Sequence, residues 1–246
     1  MERLSIMSFK EIKKKAKGAY KGNVSGCVGA GLASFVIKST PALVIFTIQF
    51  MCIQNMGDNY NGIFSGIFGL LYLAAAVFVY LPVCVGEGMY FTAKVCGKRP
   101  VIDKIFCAYK KLNVRGAAAA VPFGIIIFES TIFNVLSFAA YKLLGGNGIF
   151  GAAAVMLIEL IVIIYTLMAY APLTYVLETY GDISAGMAIG KTLRISSKKR
   201  GKIFGFYLSF ILWFLLGILT LGIGFVWIAP YMRLSAAELF KDLDKN

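Results

Sequence analysis

Residues 203–230 read IFGFYLSFILWFLLGILTLGIGFVWIAP and form 28 consecutive positions without a charged side chain. About 20 helical residues cross a hydrocarbon layer of roughly 30 Å, so a run of this length predicts membrane-spanning helix. Residues 219–224 contain two glycines, which lower the cost of a turn. We therefore expect a tight hairpin of two helices here rather than one long, tilted helix.

The composition also indicates a membrane protein. Of the 246 residues, 59% are hydrophobic and 15% are charged. In soluble domains about half of the residues are hydrophobic and about a quarter are charged. A net charge of +13 would suggest a nucleic-acid partner in a soluble protein. Here the basic residues flank apolar runs, which favours a lipid bilayer with anionic headgroups as the partner and no nucleic acid.

Further apolar runs complete a prediction of about six spans. Besides the terminal hairpin they cover residues 24–53, 62–85, 116–140 and 149–177. Of the 25 Lys and Arg residues, all but Lys38 and Lys142 lie in segments 1–23, 86–116, 178–202 and 231–246. Basic residues concentrate on the cytoplasmic side of membrane proteins. We therefore expect a multi-pass protein of the cell membrane with both termini in the cytoplasm.

Short basic segments with helical periodicity precede each pair of spans. The first opens with Ser8-Phe9-Lys10-Glu11, which fits an N-terminal capping box. Similar amphipathic patterns occupy residues 102–112 and 183–195. The fold class is thus an all-α polytopic transmembrane helical bundle, with about six spans and three short cytoplasmic-side amphipathic helices. A surface helix in residues 1–23 precedes a membrane domain in residues 24–246.

Some of the basic residues in these segments are expected to face anionic lipid. They are Lys13, Lys14, Lys15, Lys198, Lys199 and Arg200.

The order of surface helix, rising span and descending span occurs three times. Each descending span contains a proline that we expect to kink it: Pro82, Pro172 and Pro230. Each proline is followed by a carboxylate: Glu87, Glu178 and Glu238. The pattern suggests a threefold pseudo-repeat with units 8–99, 100–182 and 183–246. The alternative is three independent prolines, which membrane helices tolerate.

Ionisable residues within the apolar runs are the candidates for a functional site. Lys38 and Glu129 lie at a predicted depth of roughly 20 Å, and Glu159 lies roughly 16 Å from the opposite face. The three side chains can therefore meet near the midplane. They would form a proton or cation site, or a structural pair of Lys38 with one glutamate, or separate groups that reach water or headgroups.

The closing segment resembles a known family. The residues that carry the resemblance are Tyr207-Leu208-Ser209-Phe210-Ile211-Leu212-Trp213-Phe214-Leu215-Leu216-Gly217, Thr220-Leu221-Gly222-Ile223-Gly224, Trp227 and Pro230-Tyr231, with Lys21-Gly22-Asn23 and Tyr170-Ala171-Pro172 earlier in the chain. They are similar to a family of uncharacterised bacterial integral membrane proteins, known only as a domain of unknown function. The resemblance implies a multi-pass helical membrane protein from a Gram-positive-type bacterium and brings no catalytic residues.

Catalytic and cofactor patterns are absent from the sequence. It contains no HExxH, GxSxG or Walker motif, no CxxC pair and no histidine. We therefore expect no enzymatic activity, no cofactor, no catalytic residue and no metal site. One hypothesis is a membrane protein that acts through lipids, a membrane protein partner or a homo-oligomer. The other is a small transporter or channel for protons, cations or a small solute.

Overall fold

The computed structural model describes residues 7–56, 62–110, 115–143, 148–181, 183–197 and 199–245. Within these ranges the chain is helical with no β-strand, which confirms the all-α fold class. In this described part of the chain, five helical segments are long and apolar enough to cross a membrane: Val24–Asn55, Ile63–Val95, Ala117–Leu143, Ile149–Tyr180 and Arg200–Leu219. These five segments support the prediction of a multi-pass membrane protein.

The first hairpin begins with the amphipathic helix α1 (Phe9–Lys21). Helix α2 (Val24–Met56) rises without interruption, although it contains a lysine and a proline. Helix α3 (Gly62–Ala75) descends beside it, passes through a π-helical turn (Ala76–Tyr80) and continues as α4 (Leu81–Val95). The descending helix is therefore ten residues longer than the predicted span, which was expected to end near residue 85.

The second hairpin follows a short connecting segment. A 3₁₀-helix (Ile102–Phe106) and the short α5 (Cys107–Lys110) occupy the second predicted surface segment. Helix α6 (Ala117–Leu143) rises and α7 (Gly148–Tyr170) packs along it in the opposite direction. A turn then separates α7 from α8 (Leu173–Tyr180).

The third hairpin contains the charge-free run of residues 203–230. Its helices are α9 (Ala185–Ser196), α10 (Arg200–Leu208), α11 (Ile211–Leu219) and α12 (Phe225–Lys245). The predicted break at residues 219–224 is confirmed. Leu221 and Gly222 have φ angles of 53° and 89°, so this turn uses the left-handed region that glycine adopts readily.

This third hairpin stops well short of the first. Gly222 at its tip lines the same cavity as Lys38 of α2. Helix α2 continues from Lys38 to Met56, which is about 27 Å at 1.5 Å per residue. The rising part of the hairpin, α10 and α11, is the apolar segment Arg200–Leu219 of 20 residues, about 30 Å at 1.5 Å per residue, with a turn between the two helices. The tip of the hairpin therefore lies beside the middle of α2, and α2 extends beyond it.

The prediction of a sixth span needs correction. Its sequence lies in α12, which is not among the five long apolar segments. After Pro230 this helix carries several ionised side chains, and residues 234–240 are buried against other helices. The first turns of α12 are apolar, but its second half belongs to the packed core.

The buried core lies at the end of the bundle that carries α1 and the second half of α12. Here α4, α8 and α12 pack against one another, and α1 lies along α12. Ile12 and Ala16 of α1 are fully buried in this contact. The predicted capping box is confirmed, because Ser8 Oγ accepts from the Glu11 amide and the Glu11 carboxylate accepts from the Ser8 amide. Helix α1 thus packs on protein rather than lying only on a lipid surface.

Beyond the core, apolar side chains cover the outside of the helices. Leu70, Phe128 and Leu157 are each more than 60% exposed, and Leu221 at the tip of the third hairpin is 93% exposed. Soluble monomers rarely expose so much continuous apolar surface. This surface is the part of the molecule that a bilayer would cover.

The three prolines act differently on their helices. Pro172 lies in the turn that interrupts the second descending helix, whereas Pro82 follows the π-helical turn of the first. Pro230 lies inside α12 and does not end it. The threefold pseudo-repeat remains a prediction.

Candidate functional site

A charged network lies where α2, α4 and α12 meet, and Glu87 of α4 is at its centre. One carboxylate oxygen, Oε2, accepts from Lys38 Nζ at 2.7 Å and from Ser34 Oγ at 2.8 Å. The other oxygen, Oε1, lies 3.3 Å from Nε of Arg233. The side chains of Glu87 and Lys38 are only 6% and 14% exposed. We call these four residues the Glu87 network.

The sequence positions these side chains through helical spacing. Ser34 and Lys38 are four residues apart on α2, so they project from the same face towards α4. Glu87 lies five residues after the proline of its helix, and Arg233 lies three residues after Pro230. Gly31 allows α2 to approach α12 closely, because a Cβ atom there would lie 3.1 Å from Cγ of Pro230.

Arg233 has unused hydrogen-bonding capacity. Its side chain makes one ion pair, through Nε, and donates no hydrogen bond to the described residues. Its two Nη groups therefore have no acceptor within the described part of the chain. The Arg233 side chain is 36% exposed, and Arg233 lines two cavities.

The first cavity, which we call the α2–α12 cavity, has a volume of about 420 Å³. Its walls are apolar and come from α2 and from the third hairpin, and Lys38, Glu87 and Arg233 line it as well. Leu32 and Phe35 form part of its wall and are 43% and 66% exposed on the outside of the bundle. The cavity thus connects an apolar outer surface with the Glu87 network.

The second cavity, which we call the central cavity, has a volume of about 520 Å³ and lies between α4, α8 and α12. Thr92, Thr174 and Tyr207 contribute hydroxyl groups to its wall. Met232 and Arg233 line both cavities. The Glu87 network therefore lies at the boundary between them.

The structure does not bring the three predicted intramembrane charges together. Lys38 pairs with Glu87 instead of a glutamate on α6 or α7. Glu129 of α6 accepts hydrogen bonds of 3.0 and 3.2 Å from the buried Thr166 of α7. Glu159 is half-buried on α7 and contacts no polar group among the described residues. The reason is that α6 and α7 pair with each other, and join the other helices mainly through the core end.

The basic residues predicted to face lipid fall into two groups. Lys13 donates to the carbonyl of Ser209 at 2.9 Å, and burial lowers the pKa of this lysine. Lys199 donates to the carbonyl of Leu243, and Arg200 stacks over the ring of Tyr165. These three side chains therefore contact other helices of the protein.

The remaining residues of that prediction differ. Lys14 and Lys15 are exposed, as a lipid-facing role requires. Lys198 lies outside the described residues.

Sequence reasoning missed Glu87 and Arg233 as site residues. The sequence prediction placed Glu87 after the end of its span at residue 85. It placed Arg233 in the basic segment 231–246 on the cytoplasmic side. The available signal was the carboxylate that follows the proline in each descending helix. All three, Glu87, Glu178 and Glu238, are buried, at 5%, 8% and 8% exposure.

The other two buried carboxylates have different surroundings. Glu178 accepts from Lys98 at 2.9 Å and from Lys104 at 2.8 Å, and this contact raises the pKa of Lys98. Glu238 makes no ion pair among the described residues, and burial raises its pKa. Within the described ranges, no group of three or more Cys, Asp or Glu side chains is placed to hold a metal ion.

Comparison with known proteins gives one match. A family model described as "Protein of unknown function (DUF975)" matches residues 7–246. No curated protein and no solved structure shows a significant match to this sequence.

Proposed function

Since this chain belongs to the DUF975 family, whose function is unknown, we propose from its site that it is a non-enzymatic membrane protein that acts by holding a membrane lipid. The lipid would occupy the α2–α12 cavity. The observation that carries the proposal is that this cavity joins an apolar, outward-facing wall to a charged network. Lipid-binding sites need these two environments, because an acyl chain and a headgroup enter them together.

The volume and lining support this assignment. A volume of about 420 Å³ falls within the range of roughly 300–1,000 Å³ that is usual for small-molecule sites. Phe35, Phe225 and Val226 provide apolar surface for a chain. The exposed Leu221 at the hairpin tip would contact neighbouring acyl chains.

We further propose that the protein lies in the cell membrane with both termini in the cytoplasm. The support is the concentration of Lys and Arg in the segments next to the core end. The third hairpin returns to the side from which it enters. Four spans and this hairpin therefore predict the same side for both termini as six spans would.

The experiment is mass spectrometry of the protein extracted in mild detergent. We expect about one lipid per protein to remain bound after extensive washing. Ala229→Phe, which fills the α2–α12 cavity, should lose it, whereas Ala153→Phe on the exposed surface of α7 should keep it. A native protein that retains no lipid, or a stoichiometric protein in place of lipid, would overturn the proposal.

Transport is a second candidate function. The observation that favours it is that two cavities meet at Met232 and Arg233, so a shift of the Glu87 network would connect them. Discontinuous helices around such a site are common in transporters, and α7 and α8 are separated by a turn. Solute flux into liposomes that disappears in Arg233→Gln, but not in Lys142→Met, would support this alternative.

A further inference from the structure

The Glu87 network contains more positive than negative charge. Lys38 and Arg233 each carry one positive charge, and Glu87 carries the single negative charge between them. The other titratable groups that interact with Arg233 are Cys84 and two tyrosines, Tyr80 and Tyr207. These groups are neutral near pH 7. The network therefore has a surplus of one positive charge.

A surplus charge at this position needs a counterion. The network lies at the boundary between the apolar α2–α12 cavity and the central cavity. Glu87 and Lys38 are 6% and 14% exposed, so an uncompensated charge here is unfavourable, and the 36% exposure of Arg233 reduces this penalty without removing it. Ser34 cannot supply the missing negative charge, since it is a neutral hydroxyl that already donates to Glu87.

The free donors of the network point to the same conclusion. The Nη groups of Arg233 have no acceptor among the described residues, and Arg233 lines the α2–α12 cavity. A guanidinium presents paired N–H donors that match the oxygens of a phosphate or carboxylate. The ammonium of Lys38 is close to the same carboxylate and lines the same cavity.

We propose that the lipid of the α2–α12 cavity has an anionic headgroup, which Arg233 and Lys38 bind next to Glu87. This inference rests on the proposed function, because it names the chemistry of the ligand of that site. The apolar wall selects a lipid over a free anion of the same chemistry. The headgroup completes the charge balance of the network, so bound lipid stabilises the junction of α2, α4 and α12.

Lipid titration of the purified protein tests this inference. Phosphatidylglycerol and phosphatidylcholine with the same acyl chains are titrated separately, and bound lipid is counted by native mass spectrometry. We expect phosphatidylglycerol to bind at least about tenfold more tightly, since one charge-assisted hydrogen bond corresponds to roughly that factor. Inorganic phosphate should neither compete at millimolar concentration nor stabilise the protein.

Charge variants then locate the preference. Lys38→Met and Arg233→Gln each remove the surplus charge and should reduce the preference to about twofold or less, because the counterion is no longer required. Lys142→Met removes a charge from the exposed end of α6 and should leave the preference unchanged. The native measurement alone remains decisive if a variant fails to fold.

The possible outcomes separate this inference from the proposed function. Equal binding of both lipids, with loss of both in Ala229→Phe, would overturn the anionic preference and leave the lipid-binding function standing. Binding of neither lipid would overturn both. Competition by inorganic phosphate would show that a free anion, not a lipid, balances the charge.

Discussion

Replacing Glu87 with glutamine removes the only negative charge from the Glu87 network. The variant keeps nearly the same side-chain volume, so α2, α4 and α12 can still pack. Lys38 and Arg233 would then face each other without the carboxylate that lies between them. We expect the variant to fold less stably for this electrostatic reason and not through a cavity.

The size of the loss follows from burial. Removal of one partner from a buried ion pair typically costs about 3–5 kcal/mol, because the other charge stays buried and unpaired. Here Lys38 is 14% exposed and Arg233 is 36% exposed, so solvent reduces the penalty. We therefore expect a loss of about 2–3 kcal/mol in the free energy of unfolding.

The assay is reversible unfolding of the protein by SDS in mixed micelles. The double variant Lys38→Met with Glu87→Gln should recover part of the loss, since only one cation remains. Glu159→Gln is the matched control. This glutamate is half-buried without a polar contact among the described residues, and its replacement should change stability by less than about 0.5 kcal/mol. A Glu87→Gln protein as stable as this control would refute the reasoning.

Three further predictions concern other parts of the fold. Contact with Glu178 raises the pKa of Lys98 above its usual value of about 10.5. The stabilisation from this pair is therefore complete below pH 10.5 and disappears as the pH rises through the pKa of the folded protein. Melting temperatures measured at pH 8 and pH 11 should show this loss of stability in the native protein and not in Glu178→Gln. Gly86→Ala places a Cβ atom against a backbone carbonyl and should destabilise by about 1–3 kcal/mol in SDS unfolding, whereas Gly69→Ala meets open space and should be neutral or stabilising. In a cysteine-free background, Leu221→Cys should not react with a membrane-impermeant maleimide added outside intact cells. A cysteine at the end of α2 should react under the same conditions. Labelling of Leu221→Cys would show that the third hairpin spans the membrane.

The hairpins were predictable from the sequence because each depends on local signals. Apolar runs mark the helices, and glycines mark the turn before Phe225. The capping box at Ser8 is likewise a local pattern that the structure confirms. Basic residues at the helix ends were harder to assign, since Lys13 and Lys199 donate to backbone carbonyls of distant residues.

The partner of Lys38 was not predictable in this way. The position of a residue along its helix gives the depth of its charge in the membrane, but it does not say which helices are neighbours. The structure pairs α6 with α7, which separates Glu129 from Lys38, and inserts α12 beside α2. The failure to recognise Glu87 has a local cause, because the helix continues to Val95 instead of ending where charges appear.

The length of the third hairpin also depends on tertiary structure. Its sequence is apolar enough for a full span. The chain bends between α10 and α11, and Lys13 of α1 binds the carbonyl of Ser209 at that bend. The rising part of the hairpin therefore consists of two short helices of nine residues each. Such a contact between residues far apart in the sequence leaves no periodic signal.

The most direct test of the account is to map where an anionic lipid contacts the protein. The protein is reconstituted with phosphatidylglycerol that carries a photoactivatable group near the headgroup, and cross-linked peptides are identified after irradiation. The account predicts adducts concentrated on the lining of the α2–α12 cavity, at Leu32 or Val226, which disappear in Arg233→Gln. Adducts spread evenly over the exposed faces of α2, α3, α6 and α7, and unchanged in that variant, would contradict it.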